Sequence, residues 1–241
     1  MKKRMITAHS GCDGTPDNSL EFVQYALDNG ADCLEVDVRK KGDLLYISHD
    51  GEEETEKVDL RKVFKLLLTK ENVKINCDLK ESNLEEAVYH LAKEEGVEDR
   101  LIYTGSVNVE KFKKDNACRL PVSVYLNIEN ISLFFDRFYC FGEKEFHPDE
   151  LEVLSETIQV CKKLKAYDID GINICYRICT EDMLAYMKKE QVGISLWTVM
   201  EPEKIEEYLR LGVDNITTRN LILALEKRKE LQGAVKERDN V

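Results

Sequence analysis

Two periodicities alternate from end to end of the chain. The runs RMITAHS, CLEVDVR, VKINCDLK, RLIYTG, LPVSVYLN, DGINICY, VGISLWTV and DNITT are short, apolar and strand-like. Between them, LEFVQYALDNG, LRKVFKLLL, LEEAVYHLAKEEG, LEVLSETIQVCKKLKAY, TEDMLAYMKKEQ and EPEKIEEYLRLG repeat their apolar positions every three or four residues, the helical spacing. Gly30, Gly96 and Gly212 stand where a left-handed C-cap closes a helix, while Thr180 with Asp182, and Pro202, mark helix starts. Eight strands joined by helices within 241 residues imply an α/β fold, a (β/α)8 TIM barrel. A doubly wound open sheet is the structural alternative, but no G-x-G-x-x-G follows the first strand. The pattern sets one barrel domain over 1–228, a covering helix from Leu221 included, and a charged tail over 229–241.

One strand breaks the count. Leu44 to His49 follows the second strand after a connector around Lys40, Lys41 and Gly42, too short for a parallel crossover, so it must return antiparallel. With Gly42 in the third position of a three-residue loop, 39 pairs with 43, 37 with 45, 35 with 47 and 33 with 49. Residues directly opposite share a face, so Glu35, Asp37 and His49 are expected to point the same way.

Composition narrows the partners. At 43% hydrophobic residues the chain can build a core, and four prolines leave little room for a disordered linker. A formal charge of −12, with no stripe of Lys and Arg among aromatics, excludes a nucleic-acid footprint. The start MKKRMITAHSG lacks a signal-peptide apolar run, and no stretch of about 18 apolar residues follows. A cytoplasmic protein without integral membrane association is therefore expected. The eight cysteines sit mostly in apolar runs (Cys33, Cys77, Cys175) or on helical faces (Cys161), which reads as reduced core thiols. Cys175 and Cys179 give a C-x3-C spacing with no second pair for zinc.

Polar residues at strand ends carry the chemistry of a barrel of this kind. The first strand ends at His9, the second carries Glu35 and Asp37, its return brings His49 and Asp50, INCDLK brings Asp78 and Lys80, and SLWTV brings Trp197 and Thr198. Two acids at i and i+2 with a third from another strand make an oxygen-rich set suited to Mg²⁺ or Ca²⁺. Two histidines beside it can exchange protons near neutral pH, and Lys80 adds a point charge for an anion. Singly, each has a structural explanation: Lys80 as a counter-ion to the acids, Trp197 as packing, His9 as a hydrogen-bonded strand end. His90, on a helix face, and His147, in EFHPDE, receive no role.

The segments AHSG (8–11), PDNSL (16–20), NGADCLEVDV (29–38), SHD (48–50), CDLK (77–80), LWTVM (196–200) and LGVDNITT (211–218) fall in order over nearly the whole chain. Together they resemble the glycerophosphodiester phosphodiesterase family, in the phosphatidylinositol-phosphodiesterase-like TIM-barrel superfamily. That family shows His-Arg-Gly, Pro-Glu-Asn-Thr-Leu, Gly-Ala-Asp, Glu-x-Asp, a hairpin ending His-Asp, Glu-x-Lys, Trp-Thr-Val-Asn and Gly-Val-Asp-Gly-Ile. The resemblance implies His9 and His49 as the acid/base pair, Glu35, Asp37 and Asp78 as ligands of a divalent cation, and Lys80 near the phosphate of a small phosphodiester substrate. It also implies a two-step course: a substrate hydroxyl attacks phosphorus, the alcohol leaves, and water opens the cyclic phosphate.

The chain departs from the family at named positions. Ser10 stands at the phosphate-gripping arginine, Asp78 and Asp17 each replace a glutamate, and Arg219 falls where aspartate is frequent. After His49, GEEETEKV leads directly into DLRKVFKLLL, so the family's usual insertion is nearly missing. The venom-type phospholipase D branch of the same superfamily also lacks that arginine and uses Asp-x-Lys. The expectation is a metal-dependent phosphodiesterase with Ser10, Lys80 and Trp197 toward the substrate. The alternatives are a headgroup-cleaving phospholipase with a cyclic product, or a catalytically poor barrel that binds a phosphorylated ligand.

Overall fold

Strand β2 (Cys33–Lys41) has two inward-looking problems, and one architecture solves both. Leu34, Val36 and Val38 join the large apolar core, whereas Cys33 belongs to a separate small cluster and Glu35 and Asp37 are buried but polar. Alternation on a strand sends these two sets to opposite faces. The apolar face meets the surrounding helices; the other turns into the barrel. The computed structural model of the chain describes residues 4–51, 57–141 and 148–239. His147 and most of the GEEETEKV connector lie outside them.

Ten strands form one sheet that closes on itself through pairing of β1 (Met5–Ala8) with β2. Around the ring follow β5 (Lys74–Leu79), β6 (Leu101–Gly105), β7 (Ser123–Asn127), β8 (Gly171–Cys175), β9 (Gly193–Trp197) and β10 (Asn215–Thr218), all parallel. The short strands β3 (Leu44–Ile47) and β4 (Val58–Asp59) are antiparallel and hang from β2 outside the ring. The closed ring of parallel strands is the predicted (β/α)8 barrel.

The helices follow the sequence spacing. They are α1 (Leu20–Asp28), α2 (Leu60–Leu67), α3 (Glu85–Glu95), α4 (Leu133–Phe141), α5 (Glu150–Leu164), α6 (Glu181–Lys189), α7 (Pro202–Leu211) and α8 (Leu221–Asp239). Thr180 caps α6 by accepting from the Met183 N–H, and Pro202 opens α7. Helix α4 has no counterpart among the segments read from the sequence, and two further features stand out. No α-helix joins β6 to β7, only a 3₁₀ turn over Val109–Phe112. Helix α8 continues through residue 239, so residues 229–239 prolong the covering helix past the expected boundary at 228. Its Arg228 anchors it at the bottom of the barrel on the Arg4 carbonyl and on Asp32.

The hairpin register differs from the expectation. The turn is two residues, Gly42 and Asp43, and the pairs are Lys41 with Leu44, Lys40 with Leu45, Arg39 with Tyr46 and Val38 with Ile47. A two-residue turn with glycine first matches the twist of its strands, and this register sets buried Val38 against buried Ile47. The sheet face therefore does not deliver His49. The ladder ends at Ser48, whose N–H donates to the Asp37 carbonyl at 2.9 Å, and His49 follows in the turn beyond.

Inside the ring the side chains are graded from bottom to mouth. Cys33, Ile102 and Tyr125, with Met5, form an apolar plug. Above it runs a hydrogen-bonded belt: Thr7 donates to Asn215, Asn215 to Ser195, Ser195 to Asn173, and Asn173 to Asn127. All but the half-buried Asn127 are buried, and each bond offsets a desolvation cost of about 1–3 kcal/mol. The charged residues lie at the C-terminal ends, where the belt opens into a cavity.

Candidate active site

A cavity of about 360 Å³ occupies the barrel mouth, and its walls include His9, Glu35, Asp37, His49, Asp78, Lys80, Trp197 and Thr198. Of the eight site residues read from the sequence, His9, His49, Glu35, Asp37, Asp78, Lys80 and Trp197 thus meet in one place, with Thr198 beside them. Ser10 is the exception. It is 1% exposed, its Oγ accepts from the Asn18 N–H at 3.0 Å, and its own N–H donates to Glu35 Oε2 at 3.2 Å. Its hydroxyl is engaged behind the wall, and it acts on the site by holding Glu35.

The three acids come together because the strand register aligns them. Asp37 and Asp78 are paired positions of neighbouring β2 and β5, and Glu35 lies one inward step below. One carboxylate oxygen from each lies within 4.8 Å of the others, the one such His/Cys/Asp/Glu group among the described residues. Crowding has its electrostatic cost: burial, then repulsion from Asp37 and Asp78, pushes the Glu35 carboxyl well above the usual range. Lys80 partly offsets the excess, with Nζ 2.8 Å from Asp37 Oδ1 and 2.5 Å from Asp78 Oδ2. Both the counter-ion reading of Lys80 and a place at the cavity wall hold at once.

Supporting side chains fix the two aspartates. Asn18 Nδ2 donates to Asp37 Oδ2 at 2.7 Å, and the Thr104 hydroxyl donates to Asp78 Oδ1 at 2.9 Å. Gly105, at the end of β6, is required by this packing: a Cβ there would fall 2.5 Å from Asp78 Oδ1. Its φ of +77° also lies in the left-handed region that favours glycine.

The two histidines are presented differently. His9 Nδ1 lies 3.0 Å from the Ser10 carbonyl, so Nδ1–H donates there and Nε2 keeps its lone pair, 3.9 Å from Glu35 Oε2. Burial, and after it the Arg219 charge among the opposing contributions, keeps this imidazole below its ordinary value. His49 is open to water, its side chain 67% exposed, with Nδ1 2.9 Å from Asp50 Oδ1. Arg39 pins this turn by donating to the His49 carbonyl from Nε at 3.0 Å and Nη2 at 2.8 Å.

The cavity holds more than the sequence singled out. Asn76, Thr104, Asn127, Glu129, Asn173, Thr217 and Arg219 also line it. Most come from the inward positions of β5 to β10, where a polar residue in an otherwise apolar run is the readable signal. In the sequence Arg219 shows only as a departure from the family pattern, and Asn18 only as part of PDNSL.

A closed parallel barrel with carboxylates, histidines and cations gathered at its C-terminal mouth defines the class of architecture. No protein-family model matches the chain, and no curated protein matches it by sequence. Solved structures do. A glycerophosphodiester phosphodiesterase from Parabacteroides distasonis aligns with a TM-score of 0.67 at 19% identity, over 97% of this chain and 99% of its own. An Agrobacterium tumefaciens protein assigned as a glycerophosphoryl diester phosphodiesterase gives 0.75 at 14% identity, over 95% and 98%. An Oleispira antarctica phosphodiesterase, solved with the product sn-glycerol-3-phosphate, gives 0.66 at 15% identity, over 92% and 96%. This likeness spans both chains and shows the fold. Among the described residues, no helix is long and apolar enough to cross a membrane.

Proposed function

We propose that this chain is a divalent-cation-dependent phosphodiester hydrolase of the glycerophosphodiester phosphodiesterase type, converting a glycerophosphodiester and water to glycerol phosphate and an alcohol. The observation that carries the reading is the meeting of Glu35, Asp37 and Asp78 within 4.8 Å, with His9 and His49 on the wall of the same cavity. The motif resemblance and the solved barrels support the substrate class.

The donor set fits a hard cation. It is all oxygen, crowded and largely buried, and the Glu35 carboxyl is raised by burial first and by Asp37 and Asp78 after it. Glu35, Asp37 and Asp78 would hold Mg²⁺ or Ca²⁺, which supplies Lewis-acid withdrawal of charge from a phosphoryl oxygen when bound.

The chain's own groups then divide the work. His9 Nε2, with its lone pair toward the cavity and its ring kept neutral by burial, takes the proton of the attacking hydroxyl. His49 gives a proton to the alkoxide as the P–O bond to the alcohol breaks, and Asp50 orients its ring. When water opens a cyclic phosphate the two exchange roles. Lys80 stabilises charge that develops on phosphorus oxygens. Trp197 presents an apolar wall to the substrate, and Ser10 positions Glu35.

The test is purified protein with glycerophosphocholine, glycerophosphoethanolamine, a lysophospholipid and a chromogenic phosphodiester, followed by phosphorus NMR with Mg²⁺, Ca²⁺ or chelator. Glycerol phosphate formed only with a cation is the expected result. Cyclic phosphate accumulating from the lysophospholipid would redirect the reading to a headgroup-cleaving phospholipase. No turnover of any of the four would contradict it.

A further inference from the structure

The mouth has a second cation, and its partner leaves it half used. Arg219, just past the end of β10, lines the cavity. Its Nη1 and Nη2 each donate at 2.8 Å to one oxygen of Asp17, a fork-on-fork pair. A guanidinium carries five N–H donors, and this pair engages one on each Nη. Among the described residues its Nε–H and the other two N–H groups have no hydrogen-bond partner. Lys80, by contrast, is already held between Asp37 and Asp78.

The Asp17–Arg219 pair is built into the loop after β1. Gly11 has φ +73°, and a Cβ there would fall 1.9 Å from Asp17 Oδ1, so the bare backbone makes room for the carboxylate. The Asp13 N–H donates to the Arg219 carbonyl at 2.7 Å, tying the same loop to the residue it presents. Arg219 also feels the site: after its bond to Asp17, the charges of Glu35 and Asp37 favour its charged form. An anion entering this mouth meets Glu35, Asp37, Asp78 and Glu129 on the walls. It needs a cation with donors to spare, and Ser10, turned to Asn18, cannot provide one.

We propose that Arg219, held by Asp17, grips the substrate's phosphate, placing the N–H donors that Asp17 leaves on its non-bridging oxygens. The inference rests on the phosphodiester reading above and deepens it by naming the residue that binds the phosphate. Nothing about it requires turnover to be detected.

The experiment is a binding titration with inorganic phosphate and sn-glycerol 3-phosphate, by calorimetry and by fluorescence of Trp197, the one tryptophan, which lines the same cavity. Arg219→Gln is expected to weaken both ligands about tenfold or more, the cost of losing charge-assisted bonds, and Arg219→Lys to recover only part. Asp17→Asn breaks the same ion pair but keeps the guanidinium, and its loss is expected to stay within about threefold. Wild-type protein that binds neither anion, or Arg219→Gln that binds them as wild type does, would overturn the proposal; a larger loss in Asp17→Asn than in Arg219→Gln would overturn it as well. Phosphate binding that depends on Arg219 in a protein without turnover would sink the hydrolase reading alone. Turnover with phosphate affinity unchanged in Arg219→Gln would sink this inference alone.

Discussion

Asn18 and Asp37 hold each other twice. The Asn18 amide donates to Asp37 Oδ2 at 2.7 Å, and the Asp37 N–H donates back to Asn18 Oδ1 at 3.0 Å. Both residues are buried, and Asn18 takes a φ of +47°, which asparagine tolerates better than most residues. This pair of hydrogen bonds ties the loop before α1 to the strand that carries two proposed ligands. Asn18→Ala should therefore destabilise the fold by about 2–4 kcal/mol, leaving Asp37 Oδ2 and the Asp37 N–H without their partner and adding backbone strain. It should also weaken cation binding by roughly 10–100-fold. Urea unfolding and a calcium titration check the two effects separately.

The acid cluster makes a prediction that does not need substrate. Cation bound only to the folded state at about 100 times its Kd adds about 2.7 kcal/mol of stability. For a domain of this size that is a rise in Tm of roughly 5–10 °C, abolished in Asp37→Asn and Asp78→Asn. Lys80→Met should move the other way in binding: with Nζ no longer between Asp37 and Asp78, cation affinity rises, while turnover falls by about 100-fold or more. Thermal scans with and without chelator, beside kcat, test the pair of statements.

Acid should loosen the mouth through Asp17. The Arg219 hydrogen bond holds its carboxyl below the ordinary 3.8. As pH falls, the unfolded chain takes up this proton first, so the stability the pair contributes is full above about pH 4 and lost as pH drops through the folded value. The pair is half exposed, which limits its worth to about 0.2–1 kcal/mol. The stability difference between wild type and Asp17→Asn, from urea midpoints at about pH 6 and about pH 3, should shrink toward zero at the lower pH.

Much of this was readable from residue order. The alternation of strand and helix signals carried the barrel, and the strand-end acids and histidines carried the cavity, because barrel strands present their ends to one mouth. The hairpin register was not readable: a glycine after two lysines suits both a three-residue and a two-residue loop, and only Val38 packing on Ile47 decides. His49 reaches the site all the same, since the Arg39 side chain fixes the turn that follows. Helix α4, LFFDRFYCF, with Asp136 and Arg137 among seven apolar residues, has no counterpart among the periodic segments read from the sequence. Ser10 and Arg219 could not be ranked from sequence. Which of two polar residues at strand ends faces the cavity depends on side-chain direction, and Ser10 turns away while Arg219 turns in.

The most direct test of the central claim is kcat/KM for a glycerophosphodiester with saturating Mg²⁺ or Ca²⁺, compared among wild type, His9→Ala and His49→Ala. Each substitution removes one proton-transfer group, so each should cost about 100–10,000-fold while circular dichroism and cation-induced Tm shifts stay near wild type. Turnover that ignores the cation, or survives both substitutions undiminished, would contradict the account.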